Sequence, residues 1–339
     1  MKKKVKVLLV SLCVFLLLVG GACSWLWNQL LHKPLIEETQ WIYIEHGQIS
    51  ALGLLSGTGF ELARSWTDLD AKLQSGALDG AYKLQAGMSA LRVAQKLSRH
   101  QQDAVRVTFG GARMKEQIAG RMARTLMCDS LDVLRAMTDT AFLEKAGVDE
   151  ANVSVMFLPD TYEVYWDIQP DKLMDRMLKE YERYWNADRK AKAEALGLTP
   201  REVAVLASIA EEETANRQER GVVGRLYWNR LQKGMFLQAD PTVKFAMGDF
   251  ALKRILLRHL EVDSPYNTYR HEGLPPGPIR VPEKATMDSI LNSRPHDYLY
   301  MCAKPELNGL HNFAKTLAEH NRNAEAYHQA LNKRGIKGE

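Results

Sequence analysis

The sequence predicts an α+β protein with one N-terminal transmembrane helix, a small mixed module, and a larger mixed α/β domain. Three observations carry that reading. A charge-free run over residues 7–27 follows a cluster of lysines. Short strand-like and helix-like segments alternate over residues 40–105. Beyond them, longer amphipathic segments prevail, interrupted by one stretch rich in proline and turn residues.

Composition sets the outer limits. A chain of 339 residues can bury a core and form more than one domain. With 46% hydrophobic and 25% charged residues it is not a disordered, collagen-like or disulfide-dense sequence. The net charge of +4 vanishes once Lys2, Lys3, Lys4 and Lys6 are set aside. The remainder has no basic excess to attract nucleic acid.

The first element, residues 7–27, is long enough to cross a bilayer as a helix. The lysines ahead of it predict a cytoplasmic N-terminus, with the rest of the chain beyond the membrane. Trp25 and Trp27 suit the far interface. A cleaved signal peptide and a lipoprotein signal ending at Cys23 are the alternatives. The apolar core is long for the first, and Gly20-Gly21-Ala22-Cys23 lacks the leucine usual in the second. A retained anchor over residues 1–30 is therefore the expectation, followed by a tether and small module over 31–105 and the large domain over 106–339. Cys13 and Cys23 fall in the span. Cys128 and Cys302 could pair in an oxidising compartment, but nothing in the sequence places them together.

In the small module, Trp41-Ile-Tyr-Ile44 and Gly80-Ala-Tyr-Lys-Leu84 read as strands. The segment 87–97 reads as a helix, with Ser89 as a cap and Ala90, Val93, Ala94 and Leu97 on one face. A strand over 104–108 and a helix over 111–122 follow. In the large domain, residues 173–185 form an amphipathic helix. Thr199-Pro-Arg-Glu202 opens another with a capping box and a proline in the first turn. Residues 222–232 form a further helix that Gly234 stops. The chain over 238–282 is turn-rich, from Asp240-Pro241 to Gly273-Leu-Pro-Pro-Gly-Pro278, which favours a stiff extended path. Tyr298-Leu-Tyr-Met-Cys302 reads as a strand and the last thirty residues as a helix.

The helix opened by Thr199 runs through Ser208-Ile-Ala-Glu-Glu-Glu-Thr214, three adjacent carboxylates after an apolar run. At about 100° per residue from Leu206, Glu213 projects at about −20°, between Ala210 and Ile209 on the apolar face. Glu211 and Glu212 project away, which predicts solvated side chains. A carboxylate on an apolar face must be paired, hydrogen-bonded or neutral. Desolvation raises its pKa, and a carboxylic acid neutral near pH 7 can protonate a leaving oxygen. The alternative is a structural Glu213 buried against Arg217 or Arg225.

These residues resemble a known family. Ser208-Ile-Ala-Glu-Glu-Glu-Thr214, Gly224-Arg-Leu-Tyr-Trp-Asn-Arg-Leu231, Leu237-Gln-Ala-Asp-Pro-Thr-Val243, Tyr266-Asn-Thr-Tyr269 and Gly273-Leu-Pro-Pro-Gly-Pro-Ile279 are similar to motifs of the endolytic murein transglycosylases of the MltG (YceG-like) family. Phe157-Leu-Pro-Asp-Thr-Tyr162, Tyr298-Leu-Tyr300 and His311-Asn-Phe313 fit the same pattern. The match spans most of residues 80–325; the region before it resembles the family's LysM-like module in arrangement more than in residues. Ala210 and Ala239 depart from the pattern, where a bulkier aliphatic residue and a threonine are expected.

The resemblance implies a lyase of the cytoplasmic (inner) membrane, with its catalytic domain on the far side. It would cleave the β-1,4 bond between N-acetylmuramic acid and N-acetylglucosamine within glycan strands, leaving 1,6-anhydro ends and limiting the length of new strands. It implies catalysis by Glu213, the glutamate before the threonine. Asp240 and Asp160 could stabilise charge at the sugar, and Asp240, Thr242, Tyr266, Asn267 and Tyr269 could bind substrate. The partners implied are peptidoglycan strands and peptidoglycan synthases. No cofactor or metal is expected: there is no His-Glu-x-x-His pattern, and the nine histidines are scattered. The competing reading is a wall-binding scaffold that holds glycan without cutting it.

Overall fold

The computed structural model describes residues 2–45, 55, 57–252 and 254–334. Its first element, α1 (Lys2–Leu31), is a single helix long and apolar enough to cross a membrane. Its apolar side chains from Val7 to Val19 are all exposed. A lone exposed stripe of this length is stable only in an apolar medium.

The chain divides into two units. The first comprises residues 1–107 with the short returns 125–128 and 163–168. After α1 it contains β1 (Gln40–Ile44), α2 (Thr58–Ser65), α3 (Leu69–Gln74), β2 (Gly80–Leu84) and α4 (Ala90–Ser98). β1 pairs antiparallel with β2, with Ile42 opposite Tyr82. Alternation sends Ile42 and Ile44 inward, where they meet Phe60, Leu69, Leu73 and the predicted α4 face of Ala90, Val93, Ala94 and Leu97. Burial of each large apolar side chain here contributes roughly 2 kcal/mol. Ser89 occupies the N-cap position of α4 but makes no side-chain cap bond.

The expected tether differs from what is found. Leu30, in the last turn of α1, and Ile36 both lie in this core. The Leu35 amide donates to the Met88 carbonyl at 2.8 Å, and the Gly87 amide to the Ile36 carbonyl at 2.8 Å. The apolar neighbours of Pro34, Leu35 and Ile36, find their surface at Gly87 and Met88, far along the chain.

The second unit comprises residues 108–124, 129–162 and 169–339. β3 (Val105–Phe109), which begins in the first unit, pairs with β4 (Asp160–Val164), which ends in it, and between them in the chain lie α5 (Lys115–Ala123), α6 (Ser130–Met137) and α7 (Thr140–Ala146). α5 begins four residues later than its sequence pattern predicts. Then come α8 (Pro170–Tyr184), α9 (Ala187–Ala195), α10 (Pro200–Glu213), α11 (Arg220–Gln232), α12 (Asp240–Met247) and α13 (Lys284–Leu291). β5 (Tyr300–Ala303) pairs antiparallel with β6 (His311–Ala314), and α14 (Leu317–Lys333) closes the described chain. The start of α12 at Asp240-Pro241 replaces the predicted turn: proline is acceptable in a first turn, where its missing N–H has no helical partner.

α10 is the central helix, lying against α9, α11, α12 and α13. The capping box forms as predicted: the Thr199 hydroxyl accepts from the Glu202 amide, and the Glu202 carboxylate accepts from the Thr199 amide at 2.7 Å. Every residue from Val203 to Glu211 is buried. Close packing of α11 on α13 depends on glycine. A β-carbon at Gly224 would sit 2.5 Å from the Ile290 side chain, and one at Gly221 2.8 Å from the Ser289 carbonyl oxygen.

Candidate active site

Glu213 is the last residue of α10, because Thr214 turns the backbone to an extended conformation (φ −134°, ψ 130°). Its side chain is partly open to solvent, while the groups around it are protein. The hydroxyl of Tyr227, from α11, donates a 2.7 Å hydrogen bond to Glu213 Oε1. Neither arginine proposed as a structural partner takes that place. Arg217 reaches Glu283 at 3.3 Å, and the Arg225 guanidinium lies 4.0 Å from the centre of the Trp228 ring. Arg230 is near enough to act on Glu213 through its charge, but its hydrogen bonds go to the carbonyls of Leu299, Phe236 and Leu237.

Burial pushes the Glu213 pKa up from 4.5 to about 7. The Tyr227 hydrogen bond opposes this, the negative charge of Asp240 adds to it, and Arg230 and Lys244 oppose it more weakly. The result is a carboxyl group that holds its proton near neutrality and can still be reached.

The other two glutamates correct the projection. Glu211 is fully buried at its side chain instead of solvated, with Arg280 Nε at 3.1 Å and Arg220 Nη1 at 3.7 Å. The Glu283 amide donates to it at 2.7 Å. Burial also raises the Glu211 pKa, opposed by hydrogen bonds from Thr286 and the Glu283 backbone and by the two arginines. Glu212 is half-buried, held by Arg113 at 2.9 Å and Arg280 at 3.0 Å. The projection assumed one buried face, whereas α10 is enclosed on nearly every side. These pairs clamp residues 279–283 to α10, helped by the Ile279 amide donating to Ser208 Oγ at 3.1 Å. The preceding proline-rich stretch depends on Gly277, where a β-carbon would stand 2.1 Å from the Ala151 carbonyl oxygen.

The predicted binding residues divide into two groups. Asp240 is exposed in the first turn of α12, and its carboxylate accepts a 2.6 Å hydrogen bond from the Tyr269 hydroxyl. Tyr269 and Tyr266 are both partly exposed. The Tyr266 ring lies 4.7 Å from that of Phe245, beside a cleft of about 510 Å³ bounded also by Arg113, Ser154 and Pro278. Thr242 and Asn267 are fully buried. Thr242 Oγ1 donates to the Ala239 carbonyl at 2.7 Å and lies 2.8 Å from Thr268 Oγ1, which pins the start of α12 and hence Asp240. Asn267 donates to the carbonyls of Leu260 and Val262, both at 2.8 Å, and accepts from the Tyr269 amide at 3.0 Å. Both support the residues that face outward and present no polar group of their own. Asp160 is held by Lys284 at 2.5 Å.

A second network follows Glu213 directly. The Thr214 hydroxyl donates to Glu219 at 3.3 Å, and Glu219 accepts from the His311 amide and pairs with His311 Nδ1, both at 2.9 Å. It fixes the loop after α10 to β6. Tyr227 and Arg230 were not foreseen as site residues. Their sequence signal is membership of the Gly224–Leu231 motif, which names no role, and the register of α11 against α10 cannot be read from one helix alone. Among the described residues, no group of three or more histidine, cysteine, aspartate or glutamate side chains is placed to hold a metal ion.

Comparison with known proteins identifies the family. The family model described as YceG-like matches residues 48–326. The chain belongs to the YceG-like family. A relative from Bacillus subtilis (strain 168), an endolytic murein transglycosylase, is 31% identical over 278 residues, 77% of this chain and 76% of its own. Another endolytic murein transglycosylase, from Streptococcus pneumoniae (strain D39), is 30% identical over 183 residues. That match covers 51% of this chain and only 32% of the streptococcal protein. The crystal structure of a YceG-like protein from Listeria monocytogenes aligns with a TM-score of 0.56 and 25% identity, covering 84% of this chain and 98% of that one.

Proposed function

We propose that this chain is an endolytic murein transglycosylase, a lyase that cuts peptidoglycan glycan strands internally with Glu213 as its acid and base. One observation carries the assignment of Glu213: its carboxyl is poised at a pKa of about 7, held by a tyrosine with no arginine clamp, and still accessible. The substrate class follows from the family and from the relatives named for this activity.

The chemistry suits a single acid. Neutral Glu213 gives its proton to the oxygen between muramyl C1 and the glucosamine unit. The C1–O bond breaks, and its electron pair leaves with that oxygen. Positive charge then grows on C1 and the ring oxygen, where the exposed carboxylate of Asp240 supplies compensating charge. Glu213, now a carboxylate, takes the proton from the muramyl C6 hydroxyl as its oxygen bonds to C1. The 1,6-anhydro ring closes and Glu213 is protonated again. No water is consumed, and the intramolecular nucleophile removes the need for the second carboxylate that hydrolysis uses.

Tyr266 and Tyr269 are placed to contact sugar, with Thr242 and Asn267 supporting them from beneath. In the first unit, the strand–helix–helix–strand order of β1, α2, α3 and β2 supports a LysM-like role in holding glycan. α1 would anchor the protein in the cytoplasmic membrane, with its lysines inside and the rest of the chain outside. The test is mass spectrometry of fragments from purified glycan strands, wild type beside Glu213→Gln. Wild type is expected to leave ends one water lighter than hydrolysed ends, and the variant to leave the strands intact. Cutting by the variant, or hydrolysed ends alone, would overturn the assignment. A scaffold would leave strands uncut in both samples.

A further inference from the structure

We propose that the Tyr227 hydroxyl is the positioning group that decides which oxygen of Glu213 carries the transferable proton. This rests on the reading of Glu213 as the acid and goes beyond it by placing the proton on Oε2. Tyr227 lies in the Gly224–Leu231 motif, to which the reaction itself assigns no role. It is 3% exposed, and its hydroxyl stands 2.7 Å from Glu213 Oε1.

Two features hold it there. Gly221 and Gly224, on the same helix, let α11 sit directly on Ser289 and Ile290 of α13. One turn later, Arg230 is fastened by three carbonyl oxygens. The phenol therefore cannot follow Glu213 if the carboxyl rotates. It has a single proton to give. Burial, reinforced by the charge of Glu213, holds its pKa well above 10, so it remains a donor at every pH at which the enzyme works. Oε1 must then accept, and the proton of the neutral acid resides on Oε2, facing away from Tyr227.

The same bond acts on the reaction coordinate. With Glu213 neutral it is an ordinary hydrogen bond. As the proton leaves Oε2, negative charge builds on the carboxylate and the bond becomes charge-assisted, which strengthens it roughly twofold. An interaction stronger in the transition state than in the ground state raises kcat and leaves KM largely unchanged.

The experiment measures kcat and KM for full-length protein on purified glycan strands from pH 5 to 9, with urea midpoints recorded in parallel. Tyr227→Phe is expected to keep KM, to lose roughly tenfold in kcat on the acidic plateau, and to move the alkaline limb up by about one pH unit. 3-Fluorotyrosine at position 227 keeps the shape and strengthens the donor, so it is expected to move that limb down. It provides the same readout if the phenylalanine variant folds poorly. In a Glu213→Gln background, Tyr227→Phe should have no further effect on cutting. A structural tyrosine would lower the urea midpoint and the active fraction but leave the limb in place. An unmoved limb in both variants, with Glu213→Gln inactive, overturns the role of Tyr227 and leaves the acid standing. An active Glu213→Gln removes both.

Discussion

Replacing Glu213 with glutamine should stabilise the protein at neutral pH while abolishing cleavage. In the native state the carboxyl titrates near 7, against 4.5 for the ordinary side chain. Between those values the native state keeps a proton that the unfolded chain has already released. The native state binds more protons there, so stability falls as pH rises, and the contribution of the protonated group is gone above about pH 7. At about 1.4 kcal/mol for each pH unit the full difference is about 3 kcal/mol. Glu213 keeps some solvent contact, which brings the expectation to about 2–3 kcal/mol. Glutamine is neutral throughout and escapes this loss. The assay is urea unfolding of full-length protein in detergent, followed by the fluorescence of Trp185, which is buried in the same unit. The stability difference between variant and wild type should grow by that amount from pH 4.5 to pH 8. A difference that stays constant with pH, or a wild type that gains on the variant as pH rises, would refute the desolvated-acid argument.

Three further outcomes bear on the same site. The activity of the wild type should fall as pH rises through about 7, where Glu213 loses its proton. Asp240→Asn removes a negative charge that raises the Glu213 pKa, so the alkaline limb of its pH–rate profile should lie lower than that of the wild type. Glu211→Gln should behave oppositely to Glu213→Gln. It removes the buried carboxylate shared by Arg280 and Arg220, which keep Glu212 and Glu283 as partners, so the cost should fall below the roughly 3–5 kcal/mol of a fully broken buried pair. The check is the urea midpoint, which should drop with little change in pH profile for the folded fraction.

Local chemistry made much of the fold legible. The start of α10 was written into Thr199, Pro200 and Glu202, because a capping box is satisfied within four residues. The strands at 40–44 and 80–84 and the buried face of α4 followed from periodicities of two and 3.6. The anchor-length helix followed from an uninterrupted apolar run. Where the reading failed, the missing information lay elsewhere in the chain. Residues 32–36 read as tether because the surface at Gly87 and Met88 that receives them is some fifty residues away.

The sequence by itself determined where α10 begins and α11 ends, that a membrane-length segment leads the chain, and that a carboxylate cluster closes α10. Only tertiary structure decided what each carboxylate became. Glu211 and Glu213 are both desolvated, and a helical projection cannot rank two buried positions. Glu211 meets Arg280 and Arg220, brought in from a distant loop and from the next helix, and is locked as an ion pair. Glu213 meets Tyr227 and the charge of Asp240, and keeps its proton. The physical reason is that a pKa belongs to an environment, and the groups that make up this one are joined by packing across long stretches of chain.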